Sequence, residues 1–276
     1  MSTISSNQAG IGLLANAYLQ ADHASMLETR KRPGLYRGQP LPASVLKNID
    51  DQTMLGLAAV LVAIERLPDP TIDLTDWAIL GSPRFISRIN LIDQFKKFKA
   101  DGPWTASPHS IPHRCLHSVS GTISQALKIH GPNFGNGGGP GGYLETILSA
   151  ISLLQAGEAP GAWVVCTGYD PEPYSDILLR NGWRLHALAM ALVPDASAEA
   201  KWQLRVQPAA PANTSNAIED LLPSQLEVWH GIWFNPNTSG SLFEHQPFQC
   251  TMVGGLSLQW HCNASSPQRS SRKHAA

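Results

Sequence analysis

Two almost unbroken apolar runs, "AWVVCTGYD" (162–170) and "WRLHALAMALVP" (183–194), constrain the fold more than any other feature of this chain. A strand with one face in water alternates apolar and polar residues. A strand apolar at nearly every position is covered on both faces. Helical patterns stand around these runs. "NIDDQTMLGLAAVLVAIERL" is apolar on most sides from Met54 to Ile64, which reads as a helix buried on more than one face, capped by Asp50 or Asp51. "DWAILGS" reads as a short buried strand ending at Gly81, and "RFISRINLIDQFKKFKA" sets Phe85, Ile89, Ile92 and Phe95 at helical spacing with lysines on the other face. Ser118 reads as the cap of a short helix with Ile123, Ala126 and Leu127 on it. Tyr143–Leu154 forms the next helix, and "SDILLRNG" a brief one. Doubly covered strands among helices specify an α/β layered domain over residues 46–195.

The flanks are plainer. Residues 1–45 carry little period and the Pro/Gly-punctuated "RKRPGLYRGQPLP", so they read as an irregular opening segment with a short helix around Ile11–Leu19. Residues 196–276 read as an extension of unknown fold, linker-like at "QPAAPANTS" and disordered at "SSPQRSSRKHAA". A net charge of −1 argues against an electrostatic nucleic-acid binder or a basic membrane-surface protein. No apolar run reaches bilayer length, and "MSTISSNQAG" lacks the basic start and apolar centre of a secretory signal, so the expected location is the cytoplasm. The four cysteines form no CxxC pair and read as reduced thiols.

The chemistry centres on "GPNFGNGGGPGGYLETILSAISLLQAG", where glycines crowd around one proline before a helix. Gly137, Gly139 and Gly142 match GxGxxG. However, a dinucleotide fingerprint needs a buried strand running into the first glycine, and "KIHGPNFGN" is polar and broken. No Gly-Lys-Ser/Thr ends the loop, which excludes a Walker motif. A nucleotide- or small-ligand-binding α/β domain stays open as an alternative. His109, His113, Cys115 and His117 crowd together, but Pro112 spoils a shared helical face. His245, Cys250, His261 and Cys262 lack ligand spacing, so no metal is expected. Ser118 and Ser120 lie near His117 without a nucleophile elbow around them.

"SPHSIPHRCLHSVSGTISQALKIHGPNF", then a turn, a helix and "SLLQAG", resembles the N-terminal half of β-ketoacyl synthases of the thiolase-like superfamily. Ser107, Pro108, Pro112, Gly121, Gly131, Pro132 and Gly157 fit that family's pattern without a gap; the strands "DWAILGS" and "GAWVVCTGYD" fit its flanks. The resemblance implies a thiolase-like layered α/β half-unit, a single N-terminal-type half, with a C-terminal extension. In the family a nucleophilic cysteine heads the central helix, where amides and helix dipole stabilise thiolate and oxyanion. The same register puts Pro140 there. Proline brings no nucleophile and no N–H. The family's two further catalytic groups come from a C-terminal half, and His230, His245 and His261 of the remaining chain sit in no family motif.

Both losses imply a degenerate synthase relative of the chain-length-factor kind, including the short forms of aryl-polyene-type pathways. Such a subunit pairs with an active β-ketoacyl synthase across an extended sheet, shapes its acyl tunnel, meets acyl carrier protein indirectly, and works in polyketide or fatty-acid-type elongation. The resemblance implies no cofactor, no catalytic residue, and a tunnel or partner face made by Pro108, Pro112, His117, Phe134, Gly139, Pro140 and Gly141. The alternative within the same fold is an acyltransferase using Cys115 or Cys166.

Overall fold

The computed structural model describes residues 10–105, 113–139, 141–172, 182–194, 202–208, 217–218, 222–223, 225–227, 248–252 and 256–262. Its elements, in chain order, begin with β1 (Ile11–Ala21), α1 (His23–Lys31), β2 (Leu35–Tyr36), β3 (Gln39–Pro40), α2 (Ala43–Leu46) and α3 (Asp51–Ile64). Then come β4 (Ala78–Pro83), α4 (Arg88–Asp101), a 3₁₀ turn (Pro103–Thr105), α5 (Ser118–Leu127), β5 (Asn133–Gly135) and α6 (Gly142–Gln155). The remainder is β6 (Ala162–Asp170), β7 (Arg184–Pro194), β8 (Trp202–Pro208), β9 (Ala217–Ile218), β10 (Phe248–Met252) and β11 (Leu256–Cys262).

One mixed sheet organises the molecule, in the order β5-β4-β6-β7-β1-β8-β11-β10-β9. β4 runs parallel to β5 and β6; β7 lies antiparallel between β6 and β1. Side chains of a strand alternate faces, and both faces are covered here. Trp163 and Val165 of β6, with Leu185, Ala187, Ala189 and Ala191 of β7, join the core beneath α3 and α5. Ala162, Val164 and Cys166, with Leu188, Met190 and Leu192, join the opposite core beneath α6. This explains why both runs are apolar throughout. α3 lies close to the sheet because it presents Gly56, where an added Cβ would stand 3.1 Å from Thr167 Cγ2 and Val165 Cγ1. The α3 N-terminus is capped by Asp50, whose carboxylate accepts from Thr53 N at 2.7 Å.

Three expectations need correction. Ile11–Leu19 is not a helix but the main part of β1, a strand inside the sheet between β7 and β8. Its Leu and Ala content fits a helix, but pairing on both sides overrides local preference. The register slips between Leu13 and Ala15, so Ile11 and Leu13 face α6 while Ala15 and Ala17 face α3. Second, α4 begins only at Arg88, since Phe85 and Ser87 adopt left-handed backbone, and Phe95 is 68% exposed rather than packed inward. Third, the N-cap of α5 is His117, with no side-chain cap; Ser118 is buried in the first turn, its hydroxyl 3.4 Å from that of Thr53. The C-terminal region, for which the sequence specified no fold, extends the same sheet: β8 pairs with β1 at Ile11–Leu13 and β11 pairs along β8. Leu204, Leu226 and Leu258 complete the α6-side core. The brief helix expected at "SDILLRNG" and the expected terminal disorder lie outside the described residues. No helix among the described residues is long and apolar enough to cross a membrane.

Candidate functional site

The site lies past the carboxyl ends of the parallel strands β4, β5 and β6, where open α/β sheets place their crevices. Three backbone bonds fix its floor. Asn136 N donates to Gly81 O at 2.8 Å, Phe85 N to Gly138 O at 3.0 Å, and Arg84 N to Thr167 O at 2.7 Å. The glycine turn therefore hangs between the ends of β4 and the head of α6. Gly137 has φ +74°, and a Cβ there would stand 2.6 Å from Gly142 Cα. Only glycine fits that approach. Gly141 caps α6 with φ +78° and no side-chain bond, while Gly142 N donates to Gly139 O at 3.2 Å.

Buried polar contacts hold this head in place. The Tyr143 hydroxyl donates to Thr167 O at 2.9 Å, and Thr146 Oγ1 to Gly142 O at 2.7 Å. Thr167 Oγ1 donates to Gln52 Oε1 at 3.0 Å, and Gln52 Nε2 to Arg84 O at 3.1 Å, tying α3 across the sheet to the β4 loop. Arg84 forms a buried ion pair with Glu172, which Arg88 joins at 3.5 Å. Such a pair serves geometry more than net stability, since desolvation offsets most of the Coulomb gain. Ser82, at the end of β4, is buried with no hydrogen-bond partner for its hydroxyl, and it faces the Gly137–Gly142 contact.

No protein-family model and no curated protein matches the chain by sequence. Solved structures do match. A chain in the structure of a ketosynthase (ApeO) in complex with its chain length factor (ApeC) from Xenorhabdus doucetiae matches at TM-score 0.54 and 16% identity, over 90% of this chain and 98% of that one. A chain in the structure of a type II polyketide synthase acyl-carrier protein in complex with its ketosynthase bound to the hexaketide (AntDE:AntF) matches at TM-score 0.60 and 11% identity, over 92% and 100%. A β-ketoacyl synthase from Burkholderia phymatum STM815 matches at 0.51 and 11%, over 76% and 67%. The fold is that of the thiolase-like ketosynthases. Coverage of 90% is more of the chain than residues 46–195 supply.

Within this ketosynthase-like fold, the expected site residues fall as follows. Gly139 and Gly141 both lie just before α6, Gly141 as its N-cap. Pro140 lies outside the described residues, as do Pro108, Pro112 and His109; by chain connectivity Pro140 immediately precedes the N-cap. Phe134 sits on β5, the sheet's outer strand, 44% exposed. His117 is exposed, its Nδ1 3.3 Å from Ser120 Oγ. Ser120 is fully enclosed, so this contact is not a reactive pair.

The two described thiols sit elsewhere. Cys166 is 1% exposed on β6, opposite Ser82 and Leu188, and burial among apolar side chains pushes its thiol far up. It stays protonated and unreactive near neutrality. Cys115 lies partly exposed in the turn before α5. Among the described residues, no three His, Cys, Asp or Glu side chains converge on a metal position. The Gln52–Thr167–Arg84–Glu172 network had no sequence signal. Its members lie up to 120 positions apart, and only the sheet joins them.

Proposed function

We propose that this chain is a non-catalytic subunit of the chain-length-factor type, which pairs with an active ketosynthase and shapes its acyl tunnel in polyketide or fatty-acid-type elongation. One observation carries the reading: the turn at the head of the central helix α6 reads Gly139-Pro140-Gly141, with no side chain able to attack a thioester. Helix dipole and amides suit that position to thiolate chemistry. Here the scaffold is present and the sulfur is not.

Pairing has its own support. β5 is an edge strand, and among the described residues no strand lies on its outer side. Edge strands left open are templates for another chain. Beside it, Phe134, Asn136, Ser149, Ser152 and Leu153 line a shallow groove between β5 and α6. Phe95, Phe98 and the 97%-exposed Trp104 add large aromatic surface on α4 and the turn after it, of the kind that marks association. A second chain laid along β5 would continue the sheet and cover Phe134.

Co-expression with the ketosynthase encoded nearest to it tests the proposal. The expected result is a heterodimer that survives affinity capture on either tag followed by size exclusion. A chain that purifies alone as a stable monomer, with the synthase active without it, contradicts the proposal.

A further inference from the structure

A second cavity, of about 280 Å³, opens where α1, the α2–α3 link, the head of α3, and the segment before α5 meet. Its charges do not balance. Arg30, Lys47 and Arg114 line it as cations, with Asp50 and Asp51 as the acids. Both acids are already engaged. Asp51 holds Arg30 at 2.6 Å, and the same guanidinium donates to Ile49 O at 2.9 Å. Asp50 turns to Thr53 N and to Ser87 Oγ, at 2.7 and 2.9 Å, and its burial pushes its carboxyl upward. Lys47 and Arg114 are left with no acidic partner among the described residues, and Arg114 Nη1 is buried with no hydrogen-bond partner among them.

A buried donor nitrogen left without a partner is costly, and native structures avoid it unless something else satisfies the group. A guanidinium prefers a planar or tetrahedral oxoanion, which accepts two of its N–H groups at once. The volume suits such an anion with a short tail or a few waters, and falls below what a drug-sized apolar ligand needs. We propose that this cavity is a binding site for a small oxoanion of the phosphate or carboxylate class, held by Arg114 and Lys47. The assignment stands on the cavity's own charges and is independent of the pairing with a ketosynthase.

Isothermal titration of the full chain with inorganic phosphate, and separately with malonate, at matched ionic strength tests it. The expected result is saturable binding of at least one anion at one site per chain. Arg114→Gln and Lys47→Gln are each expected to weaken it by about tenfold or more. Lys47 is exposed, so its variant keeps the fold and decides the matter even if Arg114→Gln does not fold. No saturable heat with either anion overturns the proposal, as does wild-type affinity in Lys47→Gln. An acidic segment of a partner protein would fit the same charges. It would show as no heat with either anion together with loss of pairing in Lys47→Gln, and that result also overturns the small-anion assignment.

Discussion

In the register proposed above, Pro140 stands at the nucleophile position and lacks both an attacking atom and a backbone N–H. The turn's glycines do different jobs, and that difference is testable. At Gly135 an added Cβ would stand 2.3 Å from Leu116 C and 2.4 Å from His117 N, both backbone atoms that cannot move aside alone. At Gly139 it would meet nothing within 4 Å. Gly135→Ala should therefore destabilise the protein by about 1–3 kcal/mol, while Gly139→Ala should stay within about 0.5 kcal/mol of wild type. Urea denaturation of both variants measures this. Equal midpoints would refute the packing described at the end of β5.

At the scale of elements, what could be read from sequence tracks how local its cause is. β4, β6, β7 and α3 were legible because burial on two faces leaves apolar residues at every position, and the Asp50 cap is written within four residues. β1 was not legible, since a strand of Leu and Ala acquires its identity from β7 and β8, which lie far along the chain. β5 was not either. Three residues ending in glycine carry no period, and the strand exists because Asn133–Gly135 pairs with Ile79–Gly81. That short strand is the element on which the proposed pairing turns. Phe134→Asp places a charge on its exposed centre, where the fold has little to lose. The dissociation constant with the partner synthase should rise by about tenfold or more, read by titration of the purified subunits. Unchanged affinity would move the interface away from β5.

At the scale of the whole molecule, nine of the eleven described strands form one sheet with α3 and α5 on one face and α6 on the other. The sequence resemblance reached only residues 46–195, but the strands on both flanks enter the same sheet and enclose α6. The glycine turn before α6 was readable beforehand because the resemblance ran through it without a gap. The cation-lined cavity was not, as Lys47 and Arg114 meet only through tertiary packing. On the proposed reading, α6 is a part that positions rather than transforms. Intact mass spectrometry of the co-purified pair, after incubation with acyl carrier protein carrying an acyl thioester, tests this most directly. The account predicts one acyl mass on the synthase and an unchanged mass for this chain. An acyl adduct on this chain, mapped by digestion to Cys115 or Cys166, would contradict it.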